Sequence, residues 1–82
     1  MLSLDIIEAK IKNLYETNPN IHMSITLKRP RLIIENEPVK IVGVYPNIFQ
    51  IEEYSLGEAR QHTLQYTDIY IGQAVIPEIE NL

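Results

Sequence analysis

Apolar residues near the start of the chain recur at steps of three and four: Leu4, Ile7, Ile11 and Leu14. That spacing lines up one stripe of an α-helix and leaves Asp5, Glu8, Lys12 and Asn13 outside it, so the pattern predicts an amphipathic helix over about residues 4–17. Ser3 can cap it, or Asp5 can form a capping box with Glu8; both put negative charge in the first turn, where the helix dipole favours it. Asn18-Pro19-Asn20 ends the helix, because proline has no N–H to continue the ladder and biases Asn18 towards extended backbone. A helix this short is marginal alone in water, so its stripe must dock on the rest of the chain.

From Ile21 the period drops to two. Ile21, Met23, Ile25 and Leu27 alternate with His22, Ser24, Thr26 and Lys28, which reads as a strand with one buried face. Lys28-Arg29-Pro30-Arg31 then makes a basic turn. Leu32 to Tyr45 is a long extended segment interrupted near Asn36, Glu37 and Pro38, where proline requires a bulge, an edge position or a bend. In its second half Val39, Ile41, Gly43 and Tyr45 share one face, and Val42 and Val44 the other. Tyr45-Pro46-Asn47 turns tightly into a strand from Ile48 to Tyr54, and Ser55-Leu56-Gly57-Glu58 turns more loosely into one from Arg60 to Tyr66. Thr67-Asp68 makes a short break before a fifth strand, Ile69 to Ile76, with Ile69, Ile71 and Val75 on one face. Pro77 ends that strand, and residues 77–82 are expected to fray as a short acidic tail.

Five strands between residues 21 and 76, joined mostly by short turns, leave few topologies. A flat meander would have two exposed edges and half a core, whereas a strongly bent sheet closed on itself removes the edges. The expected fold is therefore mainly β: a small SH3-like five-stranded barrel with an N-terminal amphipathic α-helix that caps one open end and buries Leu4, Ile7, Ile11 and Leu14. Residues 1–82 are expected to form a single domain.

Composition narrows the chemistry. The chain has no cysteine, which excludes a disulfide, a thiolate metal site and a cysteine nucleophile. Seven basic and eleven acidic residues give a net charge of -4, so nothing global attracts nucleic acid or anionic lipid, and any such binding needs a local basic patch. Three of those seven basic residues stand together as Lys28, Arg29 and Arg31. Met1 to Lys10 carries Asp5 and Glu8 and lacks the basic head and apolar stretch of a signal peptide, and no apolar run has the length of a membrane span. A cytoplasmic protein with no membrane partner is expected.

The stretch Gly43-Val44-Tyr45-Pro46-Asn47-Ile48-Phe49-Gln50-Ile51, followed by Leu64-Gln65-Tyr66-Thr67-Asp68-Ile69, resembles the Veg family of small proteins from low-GC Gram-positive bacteria. That family has a Tyr-Pro-x-hydrophobic-Phe turn and, later, Ser-Tyr-x-Asp followed by a hydrophobic residue; Thr26-Leu27-Lys28 matches the ending of its first strand. The resemblance spans about Leu4 to Ile76. It implies an SH3-like barrel and a regulatory, non-catalytic role associated with biofilm formation and control of transcription, without a known active site. Where the family has a glycine-containing, strongly basic stretch after the first strand, this chain passes from Lys28-Arg29-Pro30-Arg31 directly into Leu32-Ile33-Ile34.

Two groups of residues are candidates for binding. Lys28, Arg29 and Arg31, stiffened by Pro30, could grip phosphates, against the simpler reading of a solvated hairpin turn. Tyr54 and Tyr70 are the tyrosines that alternation leaves exposed and are candidates for protein contact, whereas Tyr45 and Phe49 suit turn or core packing. His22 and His62 have no HxH or HxxxH partner and read as rim histidines, so no metal site is expected. Glu52 and Glu53 point to opposite faces of a strand and cannot act together as acid and base; Glu35 and Glu37 read as a polar turn. Three separated glycines make no phosphate cradle, and no nucleophile elbow is present. No catalytic residue, cofactor or small-molecule substrate is expected. The leading expectation is a module that binds a regulatory protein, or a second copy of itself, through an exposed strand edge and nearby aromatics; the alternative is a nucleic-acid binder using the Lys28–Arg31 turn.

Overall fold

In the computed structural model, which describes residues 3–28, 31–54 and 57–80, Ser3 opens helix α1 (Leu4–Thr17). The Ser3 hydroxyl accepts the Ile6 N–H at 3.3 Å and its carbonyl accepts the Ile7 N–H at 2.9 Å, so the cap is Ser3 and not an Asp5–Glu8 box. At the far end the Asn18 N–H bonds the Leu14 carbonyl at 2.8 Å, and Pro19 turns the chain away. Ile7, Ile11 and Leu14 are buried as the spacing predicts. Leu4 is not: it is 40% exposed, because the first turn of α1 overhangs an open groove beside Pro46, Asn47 and Ile48.

Five strands follow: β1 (Asn20–Lys28), β2 (Arg31–Val44), β3 (Ile48–Glu53), β4 (Arg60–Gln65) and β5 (Ala74–Val75). They form one antiparallel sheet in the order β4-β3-β2-β1-β5. The fold is mainly β, as expected, but the ladder does not close: β4 and β5 are its two edges. Arg29 and Pro30 of the basic turn, Ser55 and Leu56 of the looser turn, and residues 81–82 lie outside the described residues.

The interruption before Pro38 is a β-bulge. Pairing shifts between Met23↔Glu37 and Ile25↔Ile34, which sets Glu35 and Asn36 together against Ser24. Asn36 takes the left-handed conformation (φ 45°), which asparagine tolerates better than most residues, and its N–H bonds the Ser24 hydroxyl at 2.9 Å. A second shift lies between Ile41 and Gly43. There the Tyr45 ring crosses Gly43 so closely that a Cβ would stand 2.9 Å from Tyr45 Cε2. Val39, Ile41 and Gly43 are buried, whereas Tyr45 is exposed over the glycine instead of sharing their buried face.

The predicted fifth strand is mostly absent. Residues Tyr66–Tyr70 form a short helix, α2, because Gln65 and Asp68 cap its start reciprocally and Gly72, at φ 84°, ends it in a left-handed turn. Only Ala74 and Val75 pair with β1. Ile69, Ile71 and Val75 therefore share no buried face: Ile71 is 62% exposed, and Ala74 and Ile76 are the buried pair. The expected fraying tail is likewise replaced by a helical turn, α3 (Pro77–Glu80). Ile79 is buried in the core, its carbonyl accepts from Lys10 Nζ at 3.2 Å, and the Glu78 carboxylate binds His22. The core thus runs from α1 across the inner face of the sheet, with Met23, Ile25, Phe49, Ile51 and Leu64 at its centre. Among the described residues no helix is long and apolar enough to cross a membrane.

Candidate functional site

Residues of the Tyr45–Phe49 turn and of the Leu64–Ile69 segment meet at one end of the sheet. Tyr66 is buried, its ring stacks on Phe49 with centroids 5.5 Å apart, and its hydroxyl donates to the Tyr45 carbonyl at 2.8 Å. The Tyr45 N–H bonds the Ile48 carbonyl at 2.9 Å, and the Tyr66 N–H reaches the Asn47 carbonyl at 3.4 Å. Asp68 accepts the Gln65 N–H at 2.9 Å. The Tyr-Pro turn and the Tyr-x-Asp segment are therefore two halves of one structural lock. Burial, and then the nearby charge of Glu8, push the Tyr66 phenol above its ordinary range, against the lowering effect of the Tyr45 carbonyl.

The opposite end holds a different kind of site. A groove of about 520 Å³ runs between Leu27, Arg31 and Leu32 of the β1–β2 hairpin and Arg60, Gln61, His62 and Thr63 of β4. Beside it Glu53, the last residue of β3, is fully buried. Strand alternation places Phe49, Ile51 and Glu53 on one face, and the pairings Glu53↔Arg60 and Ile51↔His62 bring β4 side chains over that face. Arg60 Nε lies 2.9 Å and His62 Nε2 3.3 Å from Glu53 Oε1. A carboxylate out of water is costly unless paired, and these contacts supply the pairing. His62 is thus tied to a buried acid, not merely placed on a rim.

Arg31 and Arg60 both line this groove, and Lys28 is the cross-strand neighbour of Arg31. Neither Lys28 nor Arg31 has an ion-pair partner among the described residues. Arg29, the third predicted cation, lies outside the described residues. Lys40 does not join the patch; it pairs across strands with Glu52 and lines another groove. Sequence reading leaves open whether Lys40 or Arg60 joins Lys28, Arg29 and Arg31 in one patch, and it misses Glu53 as a member of a site. Glu53 had a signal in its parity with Phe49 and Ile51; the shared groove of Arg31 and Arg60 had none.

Tyr54 and Tyr70 are both about half exposed. Tyr54 follows β3 and lines a groove of about 480 Å³ with Ile21, His22, Pro38, Val39 and Lys40 among its walls. Its hydroxyl bonds the Glu52 carboxylate, and that bond raises the phenol above its ordinary range. Tyr70 ends α2 and lines neither groove. His22 uses both its N–H and Nδ1 on Glu78, at 3.1 and 3.0 Å to Oε2. Partial burial by itself raises the Glu78 carboxyl, and the bonds to His22 outweigh it and hold the group below its ordinary range. Among the described residues no three His, Cys, Asp or Glu side chains gather as metal ligands. No protein-family model matches the chain, and no curated protein matches it either.

Proposed function

We propose that this protein is a non-catalytic interaction module of the cytoplasm, built on an SH3-like barrel, that acts by binding a regulatory protein or a second copy of itself. The barrel reading is supported by the chain path: four consecutive antiparallel strands, a helical turn, and a fifth strand that returns to β1, with α2 packed against both sheet edges. The observation that carries the function is the outer side of the six-residue β4, unpaired among the described residues and open beside a groove, since an unpaired strand edge is a ready template for another chain. Resemblance to the Veg family makes biofilm formation or control of transcription the process in which to look for the partner. Affinity capture from a Gram-positive lysate tests this. A partner retained in stoichiometric amount, and weakened by Tyr54→Ala, is expected. No retained protein, together with a strict monomer at high concentration in light scattering, contradicts the module; an unchanged partner list with Tyr54→Ala removes that tyrosine from the surface.

A second reading is favoured by one observation, the shared groove of Arg31 and Arg60 beside Lys28: a nucleic-acid binder using the basic turn. Affinity would then fall steeply with salt, with a log-log slope near -0.9 for each duplex phosphate contacted, and Arg31→Glu would abolish it. A gel shift that shows no complex at low salt removes this reading.

A further inference from the structure

The hydrogen bonds at the end of β4 show which of its backbone groups are free. Tyr66 sends its N–H to Asn47 on the β3 side, while Gln65 sends its N–H to the Asp68 side chain. In an antiparallel pair, alternate residues exchange both backbone bonds with the partner strand. His62 and Leu64 therefore bond to β3, and Gln61 and Thr63 turn their N–H and C=O outward, at the groove they line. Free edges are usually guarded by lysine, proline, a bulge or a covering segment. β4 contains neither lysine nor proline and its pairing with β3 has no register shift. Across the groove stand Leu27, Leu32 and Arg31.

On the premise that the protein is an interaction module, we propose that this groove takes an extended acidic segment of a partner protein, which pairs with the backbone of Gln61 and Thr63 and sets carboxylates against Arg31 and Arg60. Charge selects the acid. Arg31 has no ion-pair partner among the described residues, and the Arg60 side chain remains 44% exposed while bonded to Glu53. The alternating free donors and acceptors select a peptide over nucleic acid, because a strand supplies both, whereas a phosphate backbone offers acceptors alone. A second copy pairing through its own β4 fits poorly: Arg60–Gln65 contains no carboxylate and would bring like charges together.

The test uses the full chain and an alternating Glu-Val peptide of about eight residues, long enough to span β4. Amide hydrogen exchange at Gln61 and Thr63 is expected to slow at least tenfold on adding peptide, with little change at His62 and Leu64. Arg31→Glu is expected to weaken binding about tenfold or more. Thr63→Pro removes an outward N–H without touching the β3 ladder and is expected to abolish binding; an unshifted Ile51 amide certifies its fold. No protection at roughly millimolar peptide, equal binding of a Lys-Val peptide, protection that depends on protein concentration alone, or stronger protection by duplex DNA each overturns the proposal. If the peptide fails while a protein is still captured through the Tyr54 surface, the interaction module stands and the β4 groove is not its site; if both fail, both fall.

Discussion

The two ends of this sheet are made from similar strands and do opposite things. At the Tyr45–Tyr66 end, rings stack, a phenol satisfies a turn carbonyl, and helices α1 and α2 border the contact. At the Arg31–Arg60 end no helix residue lines the groove, a carboxylate is buried against Arg60 and His62, and a strand edge is left open. The sequence motif that stands out most therefore belongs to the part that holds the fold. The part suited to binding is assembled from residues that are ordinary one at a time.

The strongest way to break this comparison is to attack the lock. Phe49→Ala is expected to cost about 3–5 kcal/mol in chemical denaturation, since it empties a fully buried site and removes the stack on Tyr66; a loss below about 1 kcal/mol would mean that the two halves of the motif do not support each other. Next comes Arg60→Ala, expected to cost about 2–3 kcal/mol at neutral pH, less than the loss of a fully enclosed pair because water can reach the vacated side. A cost below about 1 kcal/mol would show that Arg60 does not hold the buried carboxylate in place. Tyr66→Phe removes only the hydrogen bond to Tyr45 and is expected to cost about 1 kcal/mol.

The smallest effects sharpen the comparison through pH. Glu78 is held below its ordinary value of 4.5, so its stabilising contribution is present above that value and is lost as pH falls through the lower folded one. Acid should therefore loosen α3 first, seen as faster amide exchange at Ile79, and His22→Ala should reduce that pH dependence without abolishing it, because the backbone N–H bonds to the Glu78 carboxylate remain. Tyr66 has the opposite sign: its raised phenol contributes fully below pH 10.0, and the contribution is lost as pH rises through the folded value. Tyr66→Phe should flatten the alkaline limb of the stability curve.

Much of the fold was legible from periodicity. Steps of three and four located α1, and alternation located β1 to β4 and the irregularity before Pro38. Residues 66–80 were misread because their apolar content suits a strand, while local chemistry decides otherwise. Gln65 and Asp68 stand at capping-box spacing, Gly72 supplies a left-handed stop, and Pro77 occupies the first position of a helical turn, where its missing N–H costs nothing. The exposure of Tyr54 follows from alternation, whereas Tyr70 is exposed at the end of α2, where alternation does not apply; a role for either is a matter for the capture experiment. The site was less legible than the fold. Arg31 and Arg60 lie far apart in sequence and share a groove only in the folded chain, which no spacing rule encodes.

Residue-resolved amide exchange of the free protein tests the contrast between a locked end and an open edge most directly. His62 and Leu64, bonded to β3, should exchange slowly and with the global stability, whereas Gln61 and Thr63 should exchange rapidly and without dependence on protein concentration. Gln61 and Thr63 as slow as His62 and Leu64 in dilute solution would mean that the β4 edge is already closed, and would contradict the account.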